Sequence, residues 1–184
     1  MAVSSPGTRG ALLLALNEIG AELGCERLDV CGQRLVELRA WDVAADGAPR
    51  VLRDGGVEGL VGRMVDELAP LIEGVNEVSG RPRSGLWRGA SDRLAQALVL
   101  AGDEAGEPGA GVAAARRALR AEGRLAGRVR FADVAVEAKE ERVQLRNGCC
   151  LWHRIPGEPK CSTCPLLPPA ERGERLLAER EEAG

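Results

Sequence analysis

Aromatic side chains are nearly missing from this chain: its 184 residues include three Trp, one Phe and no Tyr. A core built without them must rely on Leu, Val and Ala, a choice that favours helices. A surface that stacks the bases of single-stranded nucleic acid needs several aromatic faces and is excluded. Histidine is scarcer still. With His153 alone, His-rich zinc sites and the HExxH protease motif are impossible within the chain. Only Lys139 and Lys160 among the 25 basic residues are lysine, and neither follows a phosphate-loop glycine, so there is no Walker A site. The net charge of −3 carries no global bias toward nucleic acid or anionic membrane. The best apolar run, Ala11 to Leu16, is far too short for a membrane span. Asn17, Glu18 and Glu22 break up what a secretory leader would need before Leu23-Gly24-Cys25. The expected location is cytoplasmic.

What is present is a globular balance, 45% hydrophobic and 29% charged, enough apolar material for a core. Ser4 to Thr8 reads as a tail ending in a helix cap, and Leu12, Leu16, Ile19 and Leu23 then repeat as one face of a helix. Leu35 to Trp41, a turn at Asp46-Gly47 and Arg50 to Leu52 read as a β-hairpin. Val57, Leu60, Val61, Met64, Val65 and Leu68 form the clearest helical stripe, continued by Leu71, Ile72 and Val75 beyond Pro70, which kinks that helix or starts another. Ser79 to Gly85 reads as a loop, and a further helix runs from about Leu86 to Ala101. Gly102 to Gly111 reads as an exposed connection, and Val112 to Glu122 is helical. Val129 to Val136 and Arg142 to Leu145 alternate as strands do, and Ala170 to Glu182 is a short charged helix or tail. The fold class expected is α+β: a predominantly helical domain with a small β element and a loop-rich C-terminal motif.

Six cysteines in a reducing compartment point to metal or redox chemistry. Four of them are crowded together: Cys149-Cys150, ten residues, then Cys161-Ser162-Thr163-Cys164. A turn at Pro156-Gly157 would fold the second pair back beside the first, and Pro165 stops the chain from continuing as a helix. Four converging thiolates repel unless a cation or cluster neutralises them. Arg142, Arg146, Arg154 and Lys160 flank the motif and suit an anionic centre. Structural zinc sites made of four cysteines usually draw on two CxxC knuckles, and only one is present. The vicinal pair suits a larger object such as a [2Fe–2S] cluster, with zinc or a redox dithiol as the other readings of the spacing. Cys25 and Cys31 have no further ligands beside them and read as buried, inert thiols.

The run Cys149-Cys150-Leu151-Trp152-His153-Arg154-Ile155-Pro156-Gly157, closed by Cys161-x-x-Cys164-Pro165, resembles the C-terminal signature of the FhuF-type ferric-siderophore reductases. Arg83-Ser84-Gly85-Leu86-Trp87 resembles the family's middle region more weakly. The resemblance implies a [2Fe–2S] cluster on Cys149, Cys150, Cys161 and Cys164. On such a cluster the expected sharing, read from this chain's own spacing, is Cys161 and Cys164 on one iron and the vicinal pair on the other. It implies a cytoplasmic reductase that passes one electron to iron(III) in a siderophore, most often of hydroxamate type. The chain would divide into a helical body over 1–145, the cluster-binding motif over 146–169 as part of the same domain, and a charged helix or tail over 170–184. Electrons would come from a separate protein such as a ferredoxin or its reductase. His153 is the candidate for tuning the cluster or coupling a proton, while Trp87, Trp152, Arg146 and Arg154 are candidates for the substrate surface. This chain departs from the family at Ser162, where Gly is common, and at Asn147-Gly148, where a basic residue is common. The alternative class is a structural zinc module, or an iron–sulfur regulator acting through a partner or DNA.

Two other signals are weaker. Gly109-Ala110-Gly111-Val112-Ala113-Ala114 fits a dinucleotide fingerprint as a string, yet no strand precedes it. Arg117, Arg120, Arg124 and Arg128 recur at helical spacing and would form a basic stripe, the best footing for a DNA-binding regulator; a solvated helix face explains them as well.

Overall fold

Among the described residues, five helices follow one another before the first strand. The computed structural model describes residues 6–125, 129–136 and 139–183. The helices are α1 (Pro6–Leu23), α2 (Leu28–Asp54), α3 (Val57–Ser79), α4 (Arg83–Glu104) and α5 (Pro108–Ala121). Strands β1 (Arg130–Val136) and β2 (Lys139–Leu145) come next, then a single 3-10 turn (Trp152–Arg154) and helix α6 (Pro169–Ala183). The predominantly helical α+β class expected from the sequence is the class observed.

Helix α3 buries the stripe that its sequence advertises, from Val57 through Met64 and Leu68 to Ile72 and Val75. Pro70 neither ends the helix nor starts another. It removes one hydrogen bond from the ladder, while buried side chains on both sides keep the element continuous. Each wholly buried Leu or Ile contributes about 1.5–3 kcal/mol. Gly55 and Gly80, both left-handed, cap α2 and α3 by donating to Val51 and Asn76 carbonyls.

The β-hairpin expected over Leu35–Leu52 is absent, and its residues are the middle of α2. Val30, Gln33, Val36, Glu37, Ala40, Val43, Ala44, Gly47, Ala48 and Val51 are buried at helical spacing. Most of that face is small or polar, so apolar periodicity alone does not reveal it. Gly47 is no turn: a Cβ there would lie 2.5 Å from Leu60 Cδ1, so its missing side chain lets α3 approach.

Helix α4 packs against α2 on one side and α5 on the other, while α3 packs against α2. The exposed connection expected over Gly102–Gly111 shrinks to three residues between α4 and α5. Gly102 and Gly111 instead bring the two helices together, since a Cβ on Gly111 would meet the Leu98 carbonyl at 2.5 Å. The dinucleotide-like string therefore belongs to a helix preceded by a helix. The basic stripe also breaks, because α5 ends at Ala121. Arg124 lies past that end, hydrogen-bonded to Glu122 and stacked over Trp87, and Arg128 is outside the described residues.

The two strands pair antiparallel from Arg130 opposite Leu145 to Val136 opposite Lys139. Val129 and Phe131 rest on the helical core. The hairpin therefore delivers the chain to Arg146 beside α4.

Candidate metal centre

Beyond β2 the chain docks onto α4 through its backbone. Buried Asp92 accepts the N–H of Asn147 at 2.9 Å and that of Gly148 at 2.8 Å. Gly148 is required by this approach, because a Cβ there would lie 2.9 Å from the Gly89 nitrogen. Two residues after Cys149, at Leu151, the backbone turns left-handed (φ 62°), a conformation that costs a non-glycine residue about 1–2 kcal/mol. Its side chain is buried with Cys25, Val30 and Ile155, which offsets that cost, and its N–H is directed at Cys149 Sγ, 3.4 Å away.

The expected turn at Pro156-Gly157 is present. Glu158 N–H donates to the Ile155 carbonyl at 3.1 Å, and Gly157 supplies the positive φ of 85° that the turn requires. Trp152 Nε1 donates to Glu158 Oε2 across it, at 2.7 Å. A second turn closes the CxxC, with Cys164 N–H donating to the Cys161 carbonyl at 2.9 Å.

These turns bring the two cysteine pairs together. Cys150 and Cys161 have their sulfurs 3.9 Å apart, well beyond the roughly 2.05 Å of a disulfide, and all six cysteines are free thiols. The hydrogen bond from Cys161 draws the Cys150 thiol down to about 6; burial opposes this, and the Arg146 guanidinium reinforces it. The same contact, with burial, pushes Cys161 up. Burial pushes Cys149 up as well, against the Leu151 N–H and the charge of Arg81. Among the described residues no three His, Cys, Asp or Glu side chains gather tightly enough for one metal ion.

A buried polar network lies under the vicinal pair. Glu37, 2% exposed, accepts from Arg146 Nη2 at 2.6 Å, Arg93 Nη2 at 2.9 Å and Gln33 Nε2 at 3.0 Å. Gln33 in turn accepts from Arg81 Nε, and Arg81 Nη2 donates to the Cys149 carbonyl at 3.2 Å. Burial pushes Asp92 up to about 6, opposed by the N–H groups of Asn147 and Gly148 and by Arg146. Burial works against the charge of Arg146, but Glu37, Cys150 and Asp92 outweigh it and raise its affinity for the proton. Arg146 Nε is buried without a hydrogen-bond partner, its closest charge being Asp92 Oδ2 at 3.6 Å. A buried guanidinium whose charge acts on Cys150 and Cys161, together with an all-sulfur donor set, fits an anionic iron–sulfur group.

The residues singled out from the sequence differ in exposure. His153 is near the vicinal pair: its Nδ1 lies 3.8 Å from Cys149 Sγ, and burial, then Arg154 and Lys160, hold its imidazole below the usual value. Trp152 is half-buried on the same turn, and Arg154 is exposed and paired with Asp29 at 2.5 Å. Trp87 is only 9% exposed and packs within the helical core. Cys25 and Cys31 are both buried, and Cys31 Sγ donates to the Cys25 carbonyl at 3.5 Å. Gln33, Glu37, Arg81 and Asp92 were missed. Their only trace in the sequence is Gln33 and Glu37 one helical turn apart, and charged residues at such spacing ordinarily face water.

Among the described residues no helix is long and apolar enough to cross a membrane. No curated protein and no solved structure matches the chain. Residues 146–166 match the family model described as FhuF 2Fe-2S C-terminal domain. The stretch that carries the vicinal cysteines, the two turns and the CxxC is thus similar in sequence to a FhuF C-terminal domain, and the cofactor of that domain is a [2Fe–2S] cluster.

Proposed function

We propose that the protein is a ferric-siderophore reductase in which Cys149, Cys150, Cys161 and Cys164 hold the [2Fe–2S] cluster. One observation carries this reading: in the matched segment, turns set the vicinal cysteine pair against the CxxC, with Cys150 and Cys161 sulfurs 3.9 Å apart and the charge of buried Arg146 acting on both. When bound, the cluster supplies a one-electron carrier. Iron(III) is held by hard oxygen donors far more tightly than iron(II), so one electron is enough to loosen a siderophore's grip.

The chain's own residues set the geometry for that transfer. Two thiolates on one tetrahedral metal with bonds of about 2.3 Å lie about 3.8 Å apart. The 3.9 Å between Cys150 and Cys161 would suit these two thiolates on one iron, which would leave Cys149 and Cys164 for the other. It differs from the expected sharing by sequence neighbours. The N–H of Leu151 at Cys149 favours negative charge on that sulfur. Trp152, His153 and Arg154 share one turn and form the face for an anionic siderophore or hydroxamate chelate. Trp87 is buried and is not part of it. Electrons come from a separate donor protein, and the activity is cytoplasmic.

The test is a visible spectrum of protein purified without oxygen, before and after dithionite, followed by a ferric hydroxamate. The expected result is charge-transfer bands that bleach on reduction and return when the chelate is added, with iron(II) released. A featureless spectrum with one zinc per chain would overturn the reading.

A further inference from the structure

We propose that Arg146, clamped between Glu37 and Asp92, is the positioning residue that sets the reduction potential at the four cysteines. This rests on the cluster reading above. The side chain of Arg146 is 14% exposed, and its Nη2 is fixed on Glu37 at 2.6 Å, with Nε 3.6 Å from Asp92. The clamp is packed tight: a Cβ on Gly89 would lie 2.1 Å from Gln33 Nε2 and 3.1 Å from Glu37 Oε1. Glu37 and Asp92 thus hold the guanidinium from two sides, and its field reaches both Cys150 and Cys161.

A buried ion network is a poor device for stability alone, because well-packed apolar residues generally serve as well or better. Its charges matter at this position for another reason. Two ferric ions, two sulfides and four thiolates sum to an anion, and an added electron makes it more negative. A fixed cation nearby stabilises the reduced form more than the oxidised one, and water screens it little at this depth. Glu37 and Asp92 hold Arg146 in place and partly cancel it. The same cluster of side chains thus contains one group that raises the potential and two that lower it. A purely structural clamp predicts no such opposition of signs.

The experiment is a potentiometric titration, followed by visible absorption and electron paramagnetic resonance, of the full-length chain and of Arg146→Gln, Arg146→Lys, Glu37→Gln and Asp92→Asn. Arg146→Gln is expected to disfavour reduction by about tenfold, a shift of about 59 mV to more negative potential for one electron. Glu37→Gln and Asp92→Asn keep a polar acceptor in place and should move the potential the other way, while Arg146→Lys stays near the parent. If Arg146→Gln takes up no cluster, the two carboxylate variants decide by the sign of their shift. Loaded variants with unchanged potentials, or shifts of one sign for Arg146→Gln and Glu37→Gln, would overturn this inference alone. Failure of all three charge-removing variants to take up a cluster would make the clamp structural and overturn it too. A parent protein that never shows the bands would overturn the cluster reading and this inference with it.

Discussion

The helical body and the cysteine segment are held by different forces. In the body, α2 to α5 bury Val, Leu, Ile and Ala against one another, and small residues such as Gly47 and Gly111 set how closely the helices approach. From Arg146 to Leu167 regular structure shrinks to one 3-10 turn. There the chain is positioned by hydrogen bonds to Asp92, Glu37 and Arg81, and by a small apolar patch around Leu151. Burial is non-directional and tolerates sliding, whereas hydrogen bonds and metal ligation fix atoms to tenths of an ångström. A segment that is to hold a cluster in the proposed way is therefore built from the second kind of contact on a base of the first.

The sharpest break between the two regions is Cys161→Ser or Cys150→Ser. Either should abolish the visible bands and the chelate reduction, while helical circular dichroism stays close to the parent, since neither thiol belongs to the core. A variant that lost its helices as well would show the two regions to be one cooperative unit.

Leu98→Ala attacks the other side. Leu98 is fully buried between helices, and truncation should cost about 2–5 kcal/mol of stability, read by denaturant unfolding, with little change in the cluster spectrum.

Asp92 belongs to both regions and gives a pH signature. Its folded value of about 6 lies above its ordinary 3.8, so the folded state binds the proton more readily than the unfolded chain. The penalty for its buried charge is fully present above pH 6 and is relieved as pH falls toward 3.8. Removing it with Asp92→Asn should take a component on the order of 3 kcal/mol out of the pH dependence of unfolding in that window. An unaltered profile would mean that Asp92 titrates normally.

The smallest effect is local. Gly157→Ala forces a Cβ onto a positive-φ turn position with open space around it, and should cost about 1 kcal/mol. Its readout is slower cluster uptake, with the unfolding of the body unchanged.

How much of this was legible in the sequence follows the same division. The α3 stripe could be read because large apolar residues repeat at helical spacing, and the cysteine motif because residue type and spacing are written in the chain. Helix α2 could not, since its buried face is largely Ala, Gly, Gln and Glu, and Asp46-Gly47 imitates a turn. The glycines at 102 and 111 read as a loop because a close helix contact and a flexible connection ask for the same residue. Glu37 and Asp92 were invisible for a third reason. Their role depends on partners more than fifty residues away in sequence, which no local pattern encodes.

That distance bears on how the segment can be moved between proteins. The family match begins at residue 146, but the two backbone amides just inside it are satisfied by Asp92, and the first side chain in it by Glu37. A graft of residues 146–166 alone onto another scaffold would carry every thiol and leave behind their foundation. The smallest transplantable unit is the cysteine segment together with the faces of α2 and α4 on which it stands.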